Sequence, residues 1–336
     1  MIPSLYIVLP CYNEAQVIPE TAKRLKIKLQ CLIENQRISS ASKIVFVNDG
    51  SVDQTWSLIQ DLHNEDHLFS GINLTRNQGH QNALLAGLMT IRDLCDITIS
   101  MDVDLQDDIE AIDQMIIKYN EGKDIVYGVR EDRNSDTIFK RLTATLYYKL
   151  FKRLGGDIVA HHADFRLMSK RALESLAEFQ EVNLFLRGIV PLLGFDYDIV
   201  LYTRNARFAG KSKYPLKKML TFAAEGITSF SIAPLRFIFL IGLLSFIASA
   251  IVAIFFFIQH FVGHTVSGWS SLIVSIWAIG GLQLLALGII GEYIAKSYLE
   301  TKKRPRYLVK EFLNEKSRPS TYGDCGKQKS HLTIAR

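Results

Sequence analysis

The chain has 336 residues, 48% of them hydrophobic and 22% charged, with a formal net charge of +5. This composition excludes intrinsic disorder, and the length suffices for one large folded domain plus an appendage. The basic excess sits in segments that flank apolar runs, so it points to a membrane surface and not to nucleic acid.

The first residues lack a basic n-region and a cleavage site, and the alternation over 5–9 reads as a buried strand, not a signal peptide. Further apolar runs at 43–47, 71–74, 97–101 and 125–127 are separated by helix-period stretches at 15–36, 53–66, 81–94 and 109–120. That alternation predicts an α/β domain on a mostly parallel sheet. Ligands of such sheets gather beyond the carboxyl ends of the strands. There the chain carries Pro10, Tyr12, Asn13 and Glu14, then Asn48, Asp49, Gly50 and Ser51, then Gln78, Gly79 and His80, then an acidic run. None of these is a G-x-x-x-x-G-K loop or a G-x-G-x-x-G fingerprint, which argues against a P-loop nucleotidase and a dehydrogenase.

The acidic run is Asp102, Asp104, Asp107 and Asp108, directly after the fourth apolar segment. Anions at the end of a buried strand need compensation, and a divalent cation bridging to a phosphate supplies it. In an extended segment residues two apart share a face, so Asp102 and Asp104 fall together, with Gln106 in line if the extension persists. The same run could equally serve as a solvated acidic cap for the helix near Ile109. The run Asp49, Gly50, Ser51 followed by Asp53 would likewise serve as a turn and helix N-cap, and Asp53 is read that way.

Residues 237–258 and 270–291 contain no charge over 22 positions each, long enough to cross a hydrocarbon core. Seven Lys or Arg against one acid over 203–236, and six against one over 296–310, place both ends of this hairpin in the cytoplasm. The organisation expected is an α/β domain at 1–214, an interfacial amphipathic helix at 215–235, two spans at 236–295 and a basic tail at 296–336, disordered after Lys310. The expected location is the cell (inner or plasma) membrane, multi-pass, with both termini cytoplasmic. Gly280, Gly281, Gly288 and Gly291 would allow close helix packing and a homo-oligomer. Cys11, Cys31, Cys95 and Cys325 show no paired spacing and read as reduced thiols.

The strings LPCYNEA at 9–15, VNDGSVDQT at 47–55, RNQGHQNAL at 76–84 and MDVDLQDD at 101–108 resemble the inverting nucleotide-sugar glycosyltransferases of family 2, with the GT-A fold. YGVREDR at 127–133, ADFRLMSKRAL at 163–173, FLRG at 185–188, RNARFAGKSKY at 204–214 and KRPRYLV at 303–309 narrow the resemblance to polyprenyl-phosphate glycosyltransferases. That group includes bactoprenol glucosyltransferases and, more distantly, dolichol-phosphate mannose synthases. The resemblance implies transfer of a hexose or N-acetylhexosamine from a nucleotide-diphosphate sugar, UDP ahead of GDP, to polyprenyl (undecaprenyl) phosphate at the membrane, with Mg²⁺ or Mn²⁺ as cofactor. A GDP-mannose-dependent mannosyltransferase is the alternative, and a non-catalytic nucleotide-sugar binder is the alternative of another class. A processive synthase is disfavoured, because no Q-x-x-R-W signature occurs.

The resemblance also assigns roles. Asp104 is the metal ligand and catalytic centre, Asp102 binds the metal or the ribose, and Gln106 completes the shell. Pro10, Tyr12, Glu14, Asp49 and Gln78 face the nucleotide sugar. Asp164 is the catalytic carboxylate beside the acceptor, expected to orient groups more than to take a proton, because a phosphate monoester with a second pKa of about 6 is already dianionic. Arg166 offsets its charge, and a purely structural pair is the competing explanation. Arg204, Arg207, Lys211 and Lys213 grip the acceptor phosphate, with Arg207 also catalytic. The chain departs from the group at His161, His162 and Ala163, where many relatives carry a Gly just before the Asp.

Overall fold

The computed structural model describes residues 2–131, 162–181, 186–203 and 269–314, with isolated helical positions between 235 and 251. The first half alternates as β1 (Leu5–Cys11), α1 (Ile18–Glu34), β2 (Lys43–Asn48), α2 (Thr55–Glu65), β3 (Phe69–Leu74), α3 (His80–Ile91), β4 (Ile97–Ser100), α4 (Ala111–Asn120) and β5 (Ile125–Arg130). Every element expected there is present, with ends within three residues of expectation. Then follow β6 (His162–Ser169), α5 (Lys170–Ala177), α6 (Leu186–Leu192), β7 (Tyr197–Tyr202), α7 (Trp269–Lys302) and β8 (Val309–Leu313).

The strands form one sheet in the order β7-β5-β6-β4-β1-β2-β3-β8. Strands β4, β1, β2 and β3 are parallel, and so are β5 and β7. Strand β6, however, runs antiparallel between β4 and β5, and β8 runs antiparallel to β3. The sheet is therefore mixed, where a mostly parallel one was expected. Strand–helix alternation gives the parallel crossovers of the first half, and residues 132–161, between β5 and β6, lie outside the described residues. Strand β6 instead enters the sheet from the rim at which its neighbours leave. Its register pairs Ser100 with Arg166, which brings Asp164, two residues earlier, level with Asp102.

Both faces of the central strands are covered, which is why they read as near-continuous apolar runs. On one face Ile7, Phe46, Ile99 and Leu167 pack with Leu25 of α1 and Met115 of α4. On the other, Val8, Val47 and Met168 meet Leu84 of α3, Leu173 of α5 and Ile189 of α6.

The strand-exit loops are laced together by side chains that accept backbone amides. Asn13 N–H donates to Ser51 Oγ at 3.0 Å and Val52 N–H to Asn13 Oδ1 at 3.0 Å. Asp53 accepts from Thr55 N–H at 3.0 Å, at the start of α2, and from Ala15 N–H at 3.3 Å, so it also ties two loops. Gly50 lets two loops cross: its φ is +63°, and a Cβ there would lie 2.5 Å from the Arg76 carbonyl carbon.

Strand β8 corrects the expectation that the chain after Lys310 lies outside the fold. Ile72 pairs with Phe312, Ser70 Oγ donates to the Leu313 carbonyl at 2.5 Å, and Lys43 Nζ to the Asn314 carbonyl at 2.6 Å. Without it β3 would expose a full edge of unpaired amides and carbonyls. The partnership also places the Lys302 end of α7 beside the α/β domain, because only the short run to Val309 separates them.

Within α7, Ile279–Lys302 is long and apolar enough to cross a membrane, with a mean hydropathy of 1.3 and none of the apolar window buried. It overlaps the second uncharged run, and α7 continues past the boundary expected at 295. The first run, the interfacial helix and Cys325 fall wholly or largely outside the described residues. Cys11, Cys31 and Cys95 are unpaired thiols.

A chain ending at residue 308 is expected to lose about 2 kcal/mol through the bared β3 edge and the lost Phe312 packing. Thermal unfolding in detergent would show this as a Tm roughly 4–8 °C lower, and an unchanged Tm would mean that β8 adds nothing.

Candidate active site

The site is built at the rim where β4 leaves the sheet and β6 enters it. Asp164 lies at its centre, buried, with three cationic groups on its carboxylate. Arg166 Nη2 donates to Oδ1 at 3.0 Å, Arg187 Nε and Nη2 reach the two oxygens at 3.3 and 3.2 Å, and His80 Nε2 stands 3.4 Å from Oδ2. Burial opposes the ionised form, but Arg187, His80 and Arg166 together hold Asp164 well below the usual carboxylate range. It is thus a permanent anion at neutral pH and a poor proton acceptor.

The expected Asp164–Arg166 pair is present, and Arg166 is only 1% exposed. Its Nε and Nη1 are buried without a hydrogen-bond partner among the described residues. A pair kept for stability alone would be expected to satisfy those donors, since each orphan costs about 1–3 kcal/mol. This weighs against the purely structural explanation.

Two further residues had no role assigned from sequence: His80 stood only among the rim residues after the third strand, and Arg187 only within the string FLRG. His80 opens α3 and bridges the acidic groups, 3.6 Å from Asp102 as well as 3.4 Å from Asp164. Burial would lower its pKa, but the hydrogen bond to Asp164 and the charges of Asp102 and Asp164 outweigh that and raise it. Arg187 begins α6, whose first turn is pinned to α3 by Leu186 N–H donating to Gln81 Oε1 at 2.8 Å. The strings RNQGHQNAL and FLRG contain both residues, but nothing in their spacing shows that they meet at one carboxylate.

The acidic run departs from the extended geometry expected. Val103 and Asp104 form a turn, and Leu105 adopts φ +58°, so Gln106 does not continue in line with Asp102 and Asp104. Asp104 is nearly buried, and its Oδ1 accepts the Gln106 amide at 3.2 Å. The Asp102 carboxyl is pushed up to about 6, first by enclosure and then by the charges of Asp107, Asp164 and Asp104, against the pull of His80. Such crowding of carboxylates fits a divalent cation. Among the described residues no three His, Cys, Asp or Glu side chains form a ready-made cage. Two carboxylates, substrate phosphates and water suffice for Mg²⁺, so the donor set fits an ion that arrives with its nucleotide.

Asp107 is the brace of this turn. It accepts from Tyr202 Oη at 2.5 Å, lies 3.6 Å from Arg130 Nη2, and receives the Asp102 amide at 3.4 Å. Arg130 Nε in turn donates to Tyr202 Oη at 3.1 Å. Strands β5 and β7 thereby hold the Asp102 backbone in place.

On the nucleotide side, Pro10 is buried, Tyr12 is 40% exposed and Glu14 is half-buried, its amide donating to Thr55 Oγ1 at 2.9 Å. Asp49 is buried and accepts the amides of Gln78 and Gly79 at 2.7 and 2.9 Å, so its carboxylate shapes the loop before α3. Burial pushes its pKa up despite those two donors. Arg204, Arg207, Lys211 and Lys213 lie outside the described residues, as does His161.

Tyr202→Phe removes the hydroxyl that Asp107 and Arg130 share. It is expected to cost about 1–3 kcal/mol, and to raise the metal concentration needed for half-maximal nucleotide binding. Titration calorimetry that finds wild-type binding in this variant would rule out the bracing role.

The family model described as "Glycosyl transferase family 2" matches residues 6–177. The chain is 52% identical over 318 residues to the Bacillus subtilis "Uncharacterized glycosyltransferase YkoT", covering 94% of each. It is 41% identical over 307 residues to the "Bactoprenol glucosyl transferase" of Shigella phage SfX, covering 90% of this chain and 98% of the relative. It is 40% identical over 307 residues to the "Prophage bactoprenol glucosyl transferase homolog" of Escherichia coli, covering 90% and 97%. A GT-A-like mixed sheet, a carboxylate cluster at its rim and these matches agree: the chain is a glycosyltransferase and belongs to glycosyl transferase family 2.

Proposed function

We propose that the chain moves a sugar from a nucleotide-diphosphate donor, a UDP-hexose or UDP-N-acetylhexosamine, to polyprenyl phosphate at the cytoplasmic face of the cell membrane, inverting the anomeric carbon. The observation that carries the reading is Asp164, a carboxylate beside Asp102 on which Arg166, Arg187 and His80 converge, so that it is an anion and a weak base. A hydroxyl acceptor would need a base at this position. A phosphate monoester, with a second pKa of about 6, brings its own negative charge and needs none. The relatives named bactoprenol glucosyl transferases support the same acceptor.

In this reading a phosphate oxygen attacks the anomeric carbon from the face opposite the diphosphate. The bond from that carbon to the diphosphate oxygen breaks as the new one forms, and no proton changes hands. Asp102 and Asp104 would hold Mg²⁺ or Mn²⁺, which supplies positive charge against the departing diphosphate, while Gln106, turned out of line at Leu105, is left out of that shell. Pro10, Tyr12, Glu14 and Gln78 line the nucleotide side, and Asp49 acts by holding the Gln78 amide. Arg204, Arg207, Lys211 and Lys213, just beyond β7, grip phosphate at the bilayer surface. Residues 1–214 are the catalytic unit, 215–235 the interfacial helix and 236–295 a two-span hairpin that presents the lipid head group at the rim, replacing diffusion by proximity. The return of the chain to the sheet through β8 supports an even number of crossings.

The test incubates the full chain in detergent with polyprenyl phosphate and radiolabelled UDP- and GDP-sugars, with and without EDTA. Lipid-linked product is expected from a UDP-sugar, lost with EDTA, and reduced on the order of a hundredfold or more in Asp104→Asn. Product from GDP-mannose alone would reassign the donor. Nucleotide-sugar binding without any transfer would sink the enzymatic reading of the acceptor, and full turnover by Asp104→Asn would remove the metal assignment.

A further inference from the structure

Asp164 and Arg166 form a neutral pair by themselves, 3.0 Å apart and both buried. Arg187 then adds a second positive charge to the same carboxylate, so two guanidinium groups face one carboxylate. The two arginines are not equivalent. The Arg166 side chain is 1% exposed, whereas that of Arg187 is 35% exposed. The Arg187 contacts, at 3.3 and 3.2 Å, are longer than the 2.7–2.9 Å of tight charge-assisted bonds. Arg187 is the strongest cationic support of the buried Asp164 carboxylate, yet its side chain stays open to solvent while that of Arg166 is closed off. A second guanidinium on the open side is better explained by an anion that arrives from outside.

The group is also pre-placed. Gln81 Oε1 holds the Leu186 amide at 2.8 Å, and Gly188, Ile189 and Val190 are buried behind it, so the start of α6 is fixed against α3 before any ligand binds. A planar fork on a rigid element suits two phosphoryl oxygens. Arg187 and His80 meet the same Asp164 oxygen, Oδ2, at 3.2 and 3.4 Å, and it is His80 that reaches on to Asp102 at 3.6 Å.

We infer that Arg187 is a binding residue for a substrate phosphoryl group, offering phosphate oxygens the fork that it presents to Asp164 while Arg166 keeps Asp164 compensated. This rests on the reading of the rim as a phosphate-accepting glycosyltransferase site. The phosphoryl oxygens can come from the prenyl phosphate acceptor or from the donor diphosphate, and the placement of Arg187 on Asp164, the carboxylate read as lying beside the acceptor, favours the acceptor.

The experiment measures equilibrium binding of farnesyl phosphate, of farnesol as the uncharged control, and of UDP with Mg²⁺. It uses the full chain in detergent as wild type, Arg187→Ala and Arg187→Lys, with Tm checked for each. Arg187→Ala is expected to weaken farnesyl phosphate roughly tenfold or more, Arg187→Lys less, and neither to change farnesol or UDP. A loss confined to UDP assigns the phosphoryl group to the donor. Equal affinity of wild type and Arg187→Ala for both phosphate ligands overturns the inference, as does a wild type that binds farnesol as well as farnesyl phosphate. Arg187-dependent phosphate binding in a protein that transfers no sugar would sink the proposed reaction and leave this inference standing.

Discussion

The site depends on one buried ion pair, Asp164 with Arg166, at the point where β6 enters the sheet. Burying either charge alone would cost several kcal/mol, so each is tolerable there only because the other is present. Neighbouring contacts follow from that pair. Ser100 Oγ donates to the Asp164 carbonyl at 2.6 Å, which seats β6 against β4. His80 and Arg187 reach Asp164 from α3 and α6, so three separate elements converge on a single carboxylate. Its ionisation is therefore set by the fold. That condition makes a proton-transfer role poor and an electrostatic role good.

Around this centre the rim is made of short loops whose conformations are imposed by side chains accepting backbone amides. Asp49, Asp53, Asn13 and Ser51 act this way, and Gly50 gives the room for the crossing. These residues are polar and sit beyond strand ends, the places where ligand contacts are usually sought. Several of them serve the site indirectly, by holding the loops that carry Tyr12, Gln78 and His80. The acidic turn follows the same logic. Its left-handed Leu105 is costly by itself, and the Asp104 cap and the Asp107–Tyr202 bond keep it in place.

Strand β8 links the candidate span in α7 to the α/β domain. By pairing with β3 it closes an edge and tethers the Lys302 end of α7 to the domain that carries the rim. The α/β domain and the candidate span are thus joined through β8.

The sequence by itself determined the alternating half of the fold, because apolar runs of strand length between helix-period stretches have few other solutions. It determined the acidic run at the end of β4, the candidate span within α7 and the family, whose motifs lie in that readable half. Only the tertiary structure decided what those residues do to one another. Strand β6 entered antiparallel between β4 and β5, β8 was too short and too charged to read as a strand, and the turn at Leu105 broke the extension that would have aligned Gln106. The meeting of His80, Arg166 and Arg187 at Asp164 joins residues up to 107 positions apart along the chain. Periodicity reports which face of its own element a residue occupies; it carries no information about which distant charge stands opposite, and in a buried site that charge decides the chemistry.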